Sequence, residues 1–196
     1  MNRMLLSITI IILLFSCKSK NIKSETNDLF LKKLNSDYTI WKNEFPDSLT
    51  KHFPDKIDKN FVSFGSSYRD EPRTFLHLNL EKKLTKEEKQ RFLKIQSTSD
   101  TCIIRIYANR NTYGFDKKGL GECDQYVPVP ELNLISTLDP VPADLKYYIL
   151  ELSRQTFINH EMYLRYYLPE EWKNGMSRGV AISEKENIIF YWLIMW

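Results

Sequence analysis

The last eighteen residues of the chain carry the pattern that most restricts its fold. Two runs rich in β-forming residues, Gly179–Ser183 and Ile188–Trp196, flank the polar tetrapeptide Glu184–Asn187. This arrangement predicts a β-hairpin closed by a four-residue loop. The second run, IIFYWLIMW, is apolar at both sets of alternating positions, which is typical of a central strand covered on both faces. The alternative is an exposed strand that offers apolar surface to a partner or to a bilayer.

Strand patterns and a few helical patterns precede this hairpin. We expect strands over four segments, Phe61–Gly65, Thr74–Leu80, Cys102–Ala108 and Leu145–Leu152. Residues 29–60 predict short helical pieces broken by Pro46 and Pro54, with Asp47 capping a turn that runs through His52. Thr85 and Glu88 form a capping-box pattern for a helix that ends near Gln96.

Other segments predict irregular chain or a half-exposed strand. Residues 109–124 hold three of the six glycines and predict turns. Four prolines then mark chain that we expect to be irregular, Pro128, Pro130, Pro140 and Pro142. In Thr74–Leu80 the leucines alternate with His77 and Asn79, which predicts one buried and one exposed face.

Strands mixed with helices, with a hairpin at the end, indicate an α+β fold. We predict one antiparallel or mixed sheet with a few packed helices, ending in a C-terminal β-hairpin. Aromatic residues at 13% and hydrophobic residues at 42% argue against disorder.

The N-terminus has a different character. One basic residue, Arg3, precedes the apolar run Leu5–Phe15, whose 11 residues are about half of the roughly 20 that cross a bilayer as a helix. A charged start, a short apolar middle and a small residue before a break predict a secretory signal peptide. The alternative is a transmembrane or core helix followed by an ordinary thiol at Cys17.

The residues Leu14-Phe15-Ser16-Cys17 resemble the lipobox of bacterial lipoprotein precursors. The resemblance implies that the Cys17 thiol receives a diacylglycerol, that the chain is cut after Ser16, and that the new amino group is acylated. Several acyl chains anchor a protein stably to a bilayer. This divides the chain into a signal peptide (1–16), an acylated flexible tether (17–28) and one α+β domain (29–196). By resemblance to Gram-negative lipoproteins, the absence of Asp at position 18 favours the outer over the inner membrane. No acidic cluster follows the cysteine as a signal for export to the cell surface, so we expect the periplasmic face of the outer membrane.

Processing leaves a chain with little net charge. Removal of residues 1–16 from the 196-residue chain leaves 180 residues, with 27 basic side chains against 25 acidic ones. This balance gives no electrostatic support for nucleic-acid binding. With Cys17 acylated, Cys102 and Cys123 remain. They either form a disulfide in an oxidising compartment or stay reduced, with Cys102 buried on a strand.

The sequence lacks a catalytic or metal-binding motif. His52, His77 and His160 are far apart in sequence and lack the spacing of a zinc site, so we expect no metal and no cofactor. We assign no catalytic residue. Should the protein be a small envelope hydrolase, the candidate acid–base groups are His77, His160, Glu170 and Glu171, which are scattered through the sequence.

One aromatic group is a candidate binding surface. Tyr163 and Tyr167 share a face in either a helix or a strand, and with Trp172 they can stack on a sugar or a protein surface. Burial of these rings in the core is the alternative. An anchor, a tether and a domain without a catalytic motif favour a binding or accessory module of the cell envelope that recognises a protein or a glycan.

Overall fold

A computed structural model describes residues 28–66, 76–98, 102–109, 112–116, 123, 126–132, 136–157, 172 and 174–196. The helices of this part of the chain are α1 (28–42), α2 (Asp47–Thr50) and α3 (Lys86–Phe92). The strands are β1 (Phe61–Ser66), β2 (Leu76–Lys83), β3 (Ile103–Asn109), β4 (Thr112–Asp116), β5 (Val127–Pro130), β6 (Lys146–Ser153), β7 (Met176–Ser183) and β8 (Ile188–Met195).

The strands form two sheets. The larger sheet has five strands in the order β1-β2-β8-β7-β6, and every neighbouring pair is antiparallel. The smaller sheet has the order β4-β3-β5, with β3 antiparallel to β4 and parallel to β5. The α+β prediction is therefore confirmed, including the antiparallel sheet and the C-terminal hairpin. The sequence patterns did not reveal that a second sheet exists.

Strand β8 lies in the middle of the larger sheet, and all eight of its residues are buried. Alternate side chains of a strand point to opposite faces, so β8 supplies two cores. Ile189, Tyr191 and Leu193 join the helix-side core, which also contains Tyr38, Phe45 and Phe92 from the helical segments. Phe190, Trp192 and Ile194 join the small-sheet core, together with Ile104 and Val129 of the smaller sheet. The prediction of a central strand covered on both faces is confirmed.

The helical layer follows the sequence patterns with changes at the boundaries. Thr85 and Glu88 form the predicted capping box, in which each side chain accepts a hydrogen bond from the backbone N–H of the other residue. Helix α3 ends at Phe92 rather than near Gln96. Pro46, not Asp47, is the N-cap of α2, because its fixed φ suits the start of a helix. Helix α1 includes residue 28, which we had placed in the tether.

Three predictions on strands are wrong. The turn-rich residues 109–124 contain β4, which pairs with β3. Pro128 and Pro130 lie in β5, an edge strand. The Glu131 N–H donates to the Ile106 carbonyl of β3. The backbone nitrogens at the even positions of β5 therefore point away from β3, and Pro128 and Pro130 lose no hydrogen bond of the sheet.

Strand β2 is the third correction. It spans Leu76–Lys83, and its predicted start at Thr74 lies outside the described residues. The face expected to be exposed is covered, since Asn79 is 6% and Glu81 1% exposed. The segment around Ser136 and Thr137 contributes to this cover.

Candidate functional site

The predicted aromatic surface is not available at Trp172, because this residue is buried. Its side chain is 1% exposed, and its ring lies 6.2 Å from the ring of Trp196. The Trp196 Nε1–H donates a hydrogen bond to the Trp172 carbonyl at 2.7 Å. The prediction that Trp172 contacts a partner is therefore wrong, since the end of β8 packs against it. Tyr163 and Tyr167 lie outside the described residues.

The two remaining cysteines are joined in the structure. Cys102 and Cys123 form a disulfide with a Cα–Cα distance of 5.7 Å, within the usual range for such bonds. The bond ties the residue before β3 to the segment that leads to β5. Cys17, the predicted lipid-attachment residue, lies outside the described residues, as does the whole predicted signal peptide.

The candidate acid–base groups are not brought together in the described part of the chain. His160, Glu170 and Glu171 lie outside it. His77 is half-buried on the small-sheet face of β2, where it pairs with Ile194 of β8. His52 lies on the opposite, helix-side face, and its Nε2 is 2.9 Å from the Trp192 carbonyl. The sheet separates the two rings, so they do not form one site.

Glu81 is a buried carboxylate that the sequence patterns missed. It accepts a hydrogen bond from the Thr137 backbone N–H at 2.9 Å and from the Ser136 and Ser63 hydroxyls at 3.2 and 3.3 Å. The Thr137 hydroxyl contacts the same carboxylate at 3.2 Å. These donors occupy its oxygens, so Glu81 anchors the segment at residues 136–137 to β2. The available signal was that His77, Asn79 and Glu81 are polar at every second position of a strand.

A pocket of about 170 Å³ opens between the smaller sheet and β6. Two of its lining residues are charged, Arg105 of β3 and Glu131 just after β5. The other lining residues are Leu132, Val141, Pro142, Ala143, Leu145 and Tyr147, but most of the surface exposed in the pocket is polar. Leu132, Leu145 and Tyr147 belong to the small-sheet core, which fixes the floor of the pocket.

The wall of this pocket is held by hydrogen bonds to the C-terminal hairpin. The Asp144 carboxylate accepts a bond from the Ser183 hydroxyl at 2.7 Å and from the Lys185 backbone N–H at 3.1 Å. The bond from Ser183 is the main reason that the pKa of Asp144 lies below its usual value. On the opposite side, the hydrogen bond from the Glu131 N–H to Ile106 holds Glu131 beside β3. The pocket is therefore preformed.

Arg105 is the chemically distinctive group of the pocket. Arg105 is half-buried, and Asp116 of β4 is its cross-strand neighbour. Among the residues whose side chains the structure describes, which do not include those of β4, none forms an ion pair or hydrogen bond with its guanidinium. Arg178, in contrast, bonds Glu151 and the carbonyls of Ser48 and Leu49. An arginine guanidinium can bind a carboxylate through two parallel hydrogen bonds. No motif in the sequence marks Arg105.

The described residues contain no group of three or more His, Cys, Asp or Glu side chains placed to hold a metal ion. Within the same part of the chain, no helix is both long and apolar enough to cross a membrane.

Comparisons of the chain with protein-family models, with curated proteins and with solved structures found no match.

Proposed function

We propose that this protein is a lipid-anchored binding module of the bacterial cell envelope, and that the Arg105 pocket is its ligand site. The observation that carries the proposal is a preformed pocket lined by the half-buried Arg105. The lipobox-like residues Leu14–Cys17 support the anchor. The Cys102–Cys123 disulfide supports an oxidising compartment, where such bonds persist.

The size of the pocket favours an end group of a larger molecule as the ligand. Its volume of about 170 Å³ is below the roughly 300–1,000 Å³ of pockets that enclose a complete small-molecule ligand. A terminal residue of a polypeptide fits this description, because it presents one carboxylate and one side chain. Capture of a C-terminal carboxylate is a recurring mode of peptide recognition.

The charge of Arg105 favours an end group that carries a carboxylate. Most of the surface that the pocket exposes is polar, so it offers little apolar contact to a ligand side chain. The proposed ligand is the C-terminal residue of an envelope polypeptide, with its carboxylate on Arg105.

Nothing in the described part of the chain favours the hydrolase alternative. Of its candidate groups only His77 is described, and it lies on β2 rather than in the pocket. The buried carboxylate on the same face of β2, Glu81, has its oxygens occupied by hydroxyl and amide donors.

The anchor is tested by the intact mass of the protein extracted from membranes. We expect loss of residues 1–16 and a gain of acyl mass on Cys17. The proposed location of the anchored domain is the periplasmic face of the outer membrane. A water-soluble product that retains residue 1 would contradict the proposed anchor.

The ligand site is tested with short fluorescent peptides that end in alanine, valine or leucine, each made with a free C-terminal carboxylate and with an amide. We expect binding of the free acids, and a loss of roughly 10- to 100-fold in affinity for the amides and for Arg105→Gln, because one charge-assisted interaction is removed. The control is Arg154→Gln, which removes an exposed guanidinium that lies over the Trp172 ring, outside the pocket. Affinity should not change in this variant.

Two outcomes would overturn the peptide site. Equal binding of acid and amide forms would show that Arg105 does not recognise a carboxylate. Binding of uronic-acid oligosaccharides instead of peptides, with the same dependence on Arg105, would replace the polypeptide by a glycan.

A further inference from the structure

Helix α1 leaves an apolar side uncovered. Among the described residues four large hydrophobic side chains are exposed, and three of them lie on α1: Leu29 (69%), Phe30 (61%) and Ile40 (52%). The inner side of the helix is covered by the domain: Tyr38 belongs to the helix-side core, and Leu31 and Leu34 pack against it. Leu29 and Ile40 are eleven residues, or three helical turns, apart, so they project from the same side.

Two lysines lie on this same side. Lys32 and Lys33 are exposed, and they follow Leu29 by three and four residues, so they neighbour it on the helix surface. We call Leu29, Lys32, Lys33 and Ile40, with Phe30 at one edge about 100° around the helix from Leu29, the outward face of α1. The half-buried Asp37 lies between Ile40 and Phe30. Large apolar side chains combined with lysines are typical of helices that lie in the plane of a membrane interface.

The position of α1 in the chain indicates which surface covers this face. Residues 18–28 separate Cys17 from Leu29, and eleven residues span at most about 40 Å. An acylated Cys17 would therefore hold the outward face close to the bilayer. Lys18, Lys20 and Lys23 add positive charge to this stretch, against Glu25 and Asp28. Basic side chains near a membrane surface are attracted by anionic headgroups.

We propose that the outward face of α1 is a membrane contact, with anionic phospholipid as its partner. The apolar side chains enter the boundary between headgroups and acyl chains, and Lys32 and Lys33 meet the phosphate groups. This inference rests on the proposed lipid anchor, which brings the helix to the bilayer.

The contact would also orient the ligand site. Helix α1 packs on one face of the larger sheet through Tyr38, whereas Leu145 and Tyr147 of the Arg105 pocket belong to the core on the other face. With α1 on the bilayer, the smaller sheet and the pocket lie on the far side of the domain. A partner in the periplasm would then reach Arg105 without competing with the membrane.

The experiment uses the full-length protein purified from membranes and placed in vesicles of phosphatidylethanolamine and phosphatidylglycerol with brominated acyl chains, which quench nearby tryptophan. The variant Phe30→Trp introduces a reporter on the outward face. The matched control is Phe157→Trp, at the fourth exposed hydrophobic position (39%), which follows β6 and not α1. We expect the fluorescence added by Phe30→Trp to fall by about half or more in these vesicles. The fluorescence added by Phe157→Trp should not fall.

Charge recognition is tested in the Phe30→Trp background. Replacing Lys32 and Lys33 by Gln should reduce the quenching in vesicles that contain phosphatidylglycerol. It should have no effect in vesicles of brominated phosphatidylcholine, which carry no net charge.

The intact mass of each preparation separates this inference from the proposed function. Protein without acyl mass would contradict the anchor. Acylated protein in which Phe30→Trp is quenched no more than Phe157→Trp would contradict the membrane contact of α1 and leave the anchor intact.

Discussion

The two faces of the five-stranded sheet are buried by different kinds of structure. On the helix side, helices cover the sheet, and the buried Arg178 and His52 reach backbone carbonyls, whereas the buried Lys82 pairs with the carboxylates of Asp58 and Glu88. The Arg178 guanidinium donates to the carbonyls of Ser48 and Leu49 at 2.6 and 2.9 Å, so it satisfies the C-terminal end of α2. On the other side, a second sheet and the segments around it cover the larger sheet, and the buried Glu81 carboxylate accepts bonds from side chains and from one backbone N–H.

The two faces also differ in what they present to the surroundings. On the helix side, Arg178 and His52 are directed into the protein, and this side presents its exposed apolar residues on α1. The small-sheet side leaves a guanidinium, Arg105, beside a pocket. The proposed membrane contact and the proposed ligand site therefore belong to opposite faces of the sheet.

Removal of the shared strand should have the largest effect, because β8 supplies both cores. Deletion of Tyr191–Trp196 removes large side chains, and the burial of each contributes about 1.5–3 kcal/mol to the free energy of unfolding. Their sum exceeds the lower end of the roughly 5–15 kcal/mol by which domains are stable. We expect an unfolded chain by circular dichroism. A truncated protein that melts cooperatively near the original temperature would show that β8 is not central to both layers.

A single added methyl group should test the small-sheet face. A Cβ at Gly179 would lie 2.5 Å from the Tyr148 carbonyl oxygen and 2.6 Å from the Trp192 ring. The backbone contact cannot be relieved by a side-chain rotation, so Gly179→Ala should reduce the free energy of unfolding by about 3 kcal/mol. Urea denaturation measures the loss.

Gly65 provides the matched control in the same row across the sheet. Gly65 pairs with Asn79, Asn79 with Trp192, and Trp192 with Gly179. A Cβ at Gly65 would meet only the Asn79 side chain, at 2.9 Å, and that amide can move. Gly65→Ala should cost less than about 1 kcal/mol. Equal losses for the two variants would show that the packing of Trp192 over Gly179 is not the cause.

The helix side should be the acid-sensitive face, because His52 is buried there as a neutral ring. Burial, with a smaller contribution from the charge of Arg178, lowers the pKa of His52 from 6.5 to about 4, although the bond to the Trp192 carbonyl opposes the shift. The unfolded chain takes up a proton below about pH 6.5, whereas the folded protein does so only near pH 4. The stability contributed by neutral His52 is therefore present above this window and lost as the pH falls through it.

We expect His52 to account for a loss of about 2 kcal/mol in the free energy of unfolding between about pH 8 and pH 5. The variant His52→Gln keeps a donor for the Trp192 carbonyl and does not titrate, so this part of the pH dependence should disappear. Urea denaturation of both proteins at each pH provides the comparison. The same slope in the two proteins would show that the ring is not held in its neutral form.

The smallest expected effect concerns a local feature of the helix side. Thr85→Ala removes the hydroxyl that accepts a hydrogen bond from the Glu88 N–H at 3.3 Å and should cost about 1 kcal/mol. Thr85→Ser keeps the hydroxyl and should lie within a few tenths of a kcal/mol of the wild type. Thermal unfolding followed by circular dichroism distinguishes the two. If both variants lose the same stability, the cap does not depend on the hydroxyl.

Features set by neighbouring residues could be predicted from the sequence. The hairpin of β7 and β8 and the capping box at Thr85 depend on residues a few positions apart, and both are confirmed. The double-sided burial of Ile188–Trp196 was also visible, since an apolar run at both alternating positions has no stable place on an exposed strand.

Features set by distant residues could not be predicted in this way. Pro128 and Pro130 predict irregular chain, because a proline has no N–H to donate within a sheet. Only the structure shows that they lie on an edge strand, which has a single neighbour, β3. Glu81 and Asn79 predict an exposed face until residues far along the chain are known to cover that side of β2. Arg105 has no motif, because its pocket is formed by residues from β3 and from the segment 131–147.

The sequence by itself determined the class of fold, the central strand and the resemblance of the N-terminus to a lipoprotein precursor, because each depends on short-range periodicity or on a contiguous motif. Only the tertiary structure decided which face of the sheet carries Arg105 and which carries α1, and that Trp172 is buried under Trp196. These depend on which distant segments pack against each other. The free energy of that packing is shared among many side chains, and no single stretch of sequence records it.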